Sequence, residues 1–246
     1  MDRLLYIGMS GAKEAMMSQA VDSQNLANSN TTGFRADLDT YTHVSVVGPV
    51  YDSRAYAIDE DLATDFTPGP LQTTGRSLDV AVNGEGFIAV QAPDGGEAYT
   101  RRGDLRVDAF GQLQTGDGRD VMGNNGPIFL PPAEHIDIGG DGTISVTPQG
   151  AAPGELAVVD RIKLVNPEVA NLEKSEAGLI RTKDGAPAPA DAAIGLVSGS
   201  LEGSNVNPVE SMVSMIDNAR RFEMNTKVFK LAEENDQAST RLLSRQ

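Results

Sequence analysis

The sequence predicts a mixed α and β fold, an all-β central domain flanked by N- and C-terminal α-helices, and three observations carry that reading. Apolar residues recur every three or four positions near the start of the chain and again from Pro208 to about Leu243, the spacing of one helical face. Between about residues 71 and 165 that period is absent, and short apolar runs are punctuated by Asn-Gly, Asp-Gly and Gly-Gly pairs. Boundaries follow: an N-terminal helix over 1–33, an extended connecting segment over 34–70, a β-rich domain over 71–203, and a long helix over 204–246.

In the N-terminal helix, Leu5, Met9, Ala12, Met16, Gln19, Ser23 and Leu26 follow a four-three rhythm whose later positions are polar. Fully burying a Leu or Met contributes ~1.5–3 kcal/mol, whereas ordering each residue costs roughly 1–2 kcal/mol, so this helix needs a partner. An ordinary amphipathic helix packed on the central domain is the plainer alternative. The run Asn28-Ser29-Asn30-Thr31-Thr32-Gly33-Phe34 ends it, because its polar side chains compete for backbone hydrogen bonds and Gly33 suits a left-handed stop. Residues 35–70 mix Tyr41, Val44, Val46, Val47, Tyr51 and Tyr56 with Asp59-Glu60-Asp61, and read as irregular connection with one short strand.

The β pattern begins with Leu78, Val80 and Val82, turns at Asn83-Gly84, and returns through Phe87-Ile88-Ala89-Val90, a hairpin reading. Further turns fall at Asp94-Gly95-Gly96, Phe110-Gly111, Asp117-Gly118, Asn125-Gly126-Pro127 and Asp141-Gly142, with a strand over Val158–Val165 and an exposed loop at 186–190. In the last helix Asn207 is an N-cap, Pro208 sits at the first helical position, and Glu210 complements the dipole. Val209, Met212, Met215/Ile216, Ala219, Phe222, Phe229 and Ala232 mark one face, and the length exceeds the ~10–14 residues usual in globular proteins. Such a helix suits a coiled-coil arm or a subunit boundary. Of the adjacent Arg220 and Arg221, about 100° apart around the helix, at most one faces a seam; the other is free to pair with Asp217 of its own helix or Glu223 of a neighbour.

Composition narrows function by exclusion. A net charge of −15 across 246 residues argues against a general nucleic-acid or anionic-membrane binder. With no cysteine there is no disulfide, thiolate zinc site or cysteine nucleophile. No apolar run approaches the ~20 residues that cross a bilayer, and the opening residues hold too short an apolar core for a cleaved secretory signal. Val82-Asn83-Gly84-Glu85-Gly86-Phe87-Ile88-Ala89 imitates a dinucleotide fingerprint, but a strand follows where a helix N-terminus would have to hold the pyrophosphate. His43 and His135 lack metal-binding or catalytic companions, and Gly139–Thr143 lacks the ligand series of a calcium loop. Asn30-Thr31-Thr32 fits a glycosylation sequon and helix-terminal turn chemistry equally well. Nothing marks a catalytic residue, a metal site or a cofactor site.

Three ordered motifs resemble the flagellar basal-body rod and hook family, the axial proteins of bacterial flagella. They are Asn25-Leu26-Ala27-Asn28 with Thr32-Gly33-Phe34-Arg35; Gly75, Leu78-Asp79-Val80-Ala81-Val82, Gly84, Gly86-Phe87, Tyr99-Thr100-Arg101 and Gly103; and 199–207 running into Met212, Met215-Ile216 and Arg220-Arg221-Phe222-Glu223. The opening Met1-Asp2-Arg3-Leu4, the run 201–206 and the stretch 218–224 are most similar to proximal rod members, with the distal rod and hook-type members as rivals. Ile88, where the family carries a second aromatic, and Asn28-Ser29-Asn30-Thr31 depart mildly from the pattern.

The resemblance implies a non-enzymatic, torque-transmitting subunit whose terminal helices pair as a coiled coil in the assembled rod. It implies export through the flagellar type III apparatus without a cleaved signal peptide, and assembly in the periplasm with copies of itself and other rod proteins. Subunit contacts would then fall on Leu5, Met9, Ala12 and Met16; on Asn25, Leu26, Ala27, Asn28, Gly33 and Phe34; on Leu201 and Asn205; and on Val209, Met212, Ile216, Ala219, Arg220, Phe222 and Phe229. A secreted β-domain enzyme or carbohydrate-binding module, and an export chaperone, are the readings from other classes; thirty-five carboxylates permit the first but no motif favours it.

Overall fold

The structure, a computed structural model, describes residues 2–47, 52–59, 63–148, 150, 156–175 and 178–243. It divides into two compact units: one formed by residues 1–28, 37–65 and 206–246, the other by 29–36 and 66–205.

The first unit holds the two long helices, α1 (Asp2–Ala27) and α2 (Pro208–Leu243). The Asn207 side-chain oxygen accepts the backbone N–H groups of Val209 (3.1 Å) and Glu210 (3.4 Å), so the N-cap read from sequence caps α2. Its 36 residues span about 54 Å at ~1.5 Å each. At the end of α1, the Gln24 carbonyl accepts both the Asn28 backbone N–H (3.1 Å) and the Asn28 side-chain amide (2.9 Å). Where sequence suggested connection with one short strand, Tyr41–Val47 and Asp52–Asp59 form an antiparallel hairpin, and Asp37–Leu38 pairs with Ala63–Thr64. β-branched residues at 42, 44, 46 and 47, with Tyr41, favour strand there.

The second unit is β-rich. Its largest sheet has the order Leu164–Val165, Phe87–Gln91, Glu97–Thr100, Ile180–Thr182, Leu172–Lys174, with antiparallel neighbours throughout. The Phe87–Gln91 strand is covered on both faces: Ile88 and Val90 enter the main core with Val80, Leu113, Val121, Ile144 and Ile162, while Phe87 and Ala89 join Tyr99, Val165 and Ile180. Double burial explains a continuous apolar run where a half-exposed strand would alternate. Strands 133–138, 143–148 and 157–161 make a three-stranded sheet around the turn at Asp141-Gly142, as the turn chemistry suggested.

The hairpin read at Asn83-Gly84 needs correcting. Val80–Asn83 pairs with Gly195–Ser198, and Phe87–Gln91 belongs to the larger sheet, so residues 83–86 are a corner between sheets. Gly84 and Gly86 have φ of +84° and +113°, and the turn signal marked a reversal without specifying the pairing. The hairpin lies one turn later, where Gly95 (φ +84°) joins Phe87–Gln91 to Glu97–Thr100. The 186–190 loop is also not uniformly exposed: Ala188 is buried, and its N–H donates to the Tyr99 hydroxyl at 2.7 Å.

Candidate assembly surfaces

Within the first unit the two helices run antiparallel. Asn218 donates to the Asp22 carboxylate at 2.9 Å near one end, while a β-carbon on Gly8 would sit 3.6 Å from the Phe229 ring near the other. The stripe of α1 in this seam includes Gly8, Gly11, Ala15, Ser18 and Asp22, about one residue earlier than the four-three reading from Leu5. Small side chains let the backbones approach; a β-carbon on Gly11 would lie 3.1 Å from the Asn225 amide. Burial pushes the Asp22 carboxyl above its usual range, opposed by the Asn218 hydrogen bond and reinforced by Asp39.

Phe229 packs against Gly8, but many of the bulkier apolar residues of these helices point away from the seam. Tyr6, Met9 and Met16 on α1 are 56, 54 and 58% exposed, and Val209, Met212 and Ile216 on α2 are 66, 46 and 54% exposed. Isolated exposed apolar residues are ordinary, but stripes of them along two paired helices are surfaces suited to burial against something else. Of the residues named from sequence, Ala12 and Asn25 are buried. Leu26, Asn28, Gly33, Phe34, Leu201, Asn205, Ala219, Phe222 and Phe229 are half-buried, and Leu5, Met9, Met16, Ala27, Val209, Met212, Ile216 and Arg220 are exposed. Arg220 faces Asp217 at 4.0 Å on open surface, where such a pair contributes little.

Asn25 has a definite local task. Its amide donates to the Asp37 carbonyl (2.8 Å) and its oxygen accepts the Asp37 N–H (2.9 Å), so one side chain takes the place of a strand partner for Asp37. Gln24 adds a bond of 3.0 Å to the Asp37 carboxylate.

The second unit gathers residues of all three sequence motifs around one carboxylate. Glu202, 1% exposed, lies 2.6 Å from the Arg35 guanidinium and 2.9 Å from that of Arg101. Its side chain also accepts the Gly69 N–H (2.9 Å), and its backbone carbonyl accepts the Gly33 N–H (2.8 Å). Arg101 further donates to the Gly84 carbonyl (2.8 Å) and stacks over Phe87, with 5.1 Å to the ring centroid. Burial pulls the Arg101 pKa below the usual guanidinium value, an effect opposed by Glu202 and strengthened by Arg35. Gly33 is left-handed (φ +68°) but lies beyond the end of α1. The stop read there is instead a close approach, since a β-carbon would fall 2.5 Å from the Arg101 carbonyl carbon.

Arg35, Arg101 and Glu202 stand inside the sequence motifs, but sequence reasoning did not pair them. Their signal was opposite charge embedded in glycine-rich runs. It also missed the Gly8, Gly11, Ala15, Ser18 and Asn218 seam, for which a three-four spacing of small residues was the available cue. Among the described residues no group of three or more His, Asp or Glu is arranged to hold a metal, and no helix is long and apolar enough to cross a membrane.

Three family models match the chain in order: "Flagella basal body rod protein" over residues 5–35, "Flagellar hook protein FlgE/F/G D1 domain" over 81–146, and "Flagellar basal body rod FlgEFG protein C-terminal" over 197–242. The chain is 44% identical to the flagellar basal-body rod protein FlgF of Salmonella typhimurium over 99% of both chains, and 40% identical to FlgF of Escherichia coli over the same shares. The rod protein FlgG of Bacillus subtilis is 32% identical over 94% of this chain and 96% of its own length.

Proposed function

Because the chain belongs to the flagellar basal-body rod protein family, and is a structural rod subunit rather than an enzyme, we propose that α1 and α2 are the elements through which it assembles. The observation that carries this is the orientation of the helix pair. On α1 its internal seam is lined by small and polar residues, with Phe229 of α2 against Gly8, while Met9, Met16, Val209, Met212 and Ile216 face outward. Burying an exposed Met, Val or Ile contributes ~1.5–3 kcal/mol, so a few such residues per neighbour supply the driving force that the seam lacks.

On this reading the outward stripes pack against the helices of adjacent copies and of other rod proteins as a coiled coil, with the β unit as the stiff body that carries torque. Higher identity to FlgF than to FlgG supports a place in the proximal rod. Absence of cysteine in the sequence and marginal isolated helices suit export of an unfolded chain through the flagellar type III apparatus, without a cleaved signal peptide, to the periplasm. Mass spectrometry of basal bodies purified from the native bacterium tests the assignment. The chain is expected as a stoichiometric rod component, and its absence from washed basal bodies would overturn it.

A further inference from the structure

The chain enters or leaves the β unit at four points, after residues 28, 36, 65 and 205. The unit's own residues beside these points are segment 29–36, residues 67–70 and residues 202–205. They are joined by hydrogen bonds that run through or next to Glu202. Arg35 donates to the Thr67 carbonyl (2.7 Å), Asn205 accepts the Ala36 N–H (2.8 Å) and donates to the Thr67 carbonyl (3.1 Å), and Gly203 N–H donates to the Pro70 carbonyl (2.8 Å).

Segment 29–36 shows what holds it. Arg35 is the one buried side chain among its eight residues, so no apolar core anchors it. Lys174 adds a bond of 2.9 Å to the Arg35 carbonyl and rests over the Phe34 ring. Attachment is therefore largely polar and charged, with two buried guanidiniums sharing one carboxylate. Remove that negative charge and two like charges remain buried side by side, which strongly disfavours the closed arrangement. By contrast Val80, Val82, Ile88 and Val90 are fully or almost fully buried among apolar neighbours and owe nothing to Glu202.

We propose that Glu202 is a latch: its charged carboxylate holds the exit segments of the β unit together, and neutralising it frees them as a group while the apolar core stays folded. The latch is a property of the unit itself and stands or falls independently of the rod assignment.

Hydrogen exchange measured by mass spectrometry on the full chain tests it. In Glu202→Gln, exchange in 29–36, 67–70 and 202–205 is expected to rise on the order of a hundredfold, while Val80–Asn83 and Phe87–Gln91 stay within about threefold of the parent chain. Arg35→Gln, which leaves the Arg101–Glu202 pair in place, is expected to free 29–36 but keep 202–205 protected. Unchanged exchange at the exit segments in Glu202→Gln, or an equal rise throughout the β unit, would overturn the latch. Should Glu202→Gln fail to fold, Arg35→Gln decides alone: protection unchanged at 29–36, or lost uniformly, would sink it.

Discussion

The two units solve opposite problems. In the β unit, large apolar residues turn inward, with Ile88, Leu105, Leu113, Val121 and Ile144 wholly buried. Among the described residues of the helix unit the buried positions are Gly8, Ala12, Ala15, Ser18, Asn25, Asp37, Asn218 and Ala232, and no bulky apolar residue is among them. A core of the first kind supports a unit that folds alone. A seam of the second kind leaves most of the helices' apolar surface for other contacts, which is the distribution an assembling subunit requires.

The contrast can be broken most forcefully in the β unit. A β-carbon on Gly103 would fall 1.7 Å from the Val80 carbonyl oxygen, so Gly103→Ala is expected to cost more than about 4 kcal/mol and to abolish cooperative unfolding of that unit in a denaturant titration. Leu113→Ala, at a wholly buried position, is expected to lower the unit's stability by about 2–5 kcal/mol by the same measurement. In the helix unit the effects are smaller. Asn218→Ala removes the hydrogen bond to Asp22 and is expected to cost about 1 kcal/mol, read as earlier loss of helical circular dichroism on heating.

The smallest effect is one of sign with pH. Asp22 binds its proton more tightly in the folded chain than in the unfolded one, so the helix unit gains stability as pH falls through that raised value toward 3.8 and loses it as pH rises. Asp94, hydrogen-bonded by Arg181, and Asp141, bonded by Thr143, have lowered values, so their contribution to the β unit is present above 3.8 and fades as pH falls through their folded values. Separate melts of helical and aromatic signals are expected to show the helix unit gaining as pH falls toward 3.8 and the β unit losing only as pH falls further.

Legibility from sequence tracked the locality of each signal. The α2 cap at Asn207-Pro208 depends on adjacent residues and was readable. So were the turns at Gly95 and Gly142 and the failure of the dinucleotide fingerprint, because each was decided by the next few residues of the chain. The partner of Val80–Asn83 was not, since it lies over a hundred residues away at Gly195–Ser198. The helix seam was hidden for another reason. Helical periodicity is carried by large apolar residues, and on α1 Met9 and Met16 mark the outer face while glycine, alanine and serine mark the contact. Glu202 was hidden too, because a lone carboxylate among 35 acidic residues declares a buried role only once Arg35 and Arg101 are brought to it.

The central claim is that the outward apolar stripes of α1 and α2 become buried on assembly. Since the chain has no cysteine, a single one can be introduced as Met9→Cys or Ile216→Cys, with Ala15→Cys in the seam for comparison, and labelled by a maleimide in the free protein and in isolated basal bodies. The Met9→Cys and Ile216→Cys thiols are expected to react readily when free and to be shielded after incorporation, while the Ala15→Cys thiol stays shielded in both. Equal, rapid labelling of Met9→Cys and Ile216→Cys before and after incorporation would contradict the account.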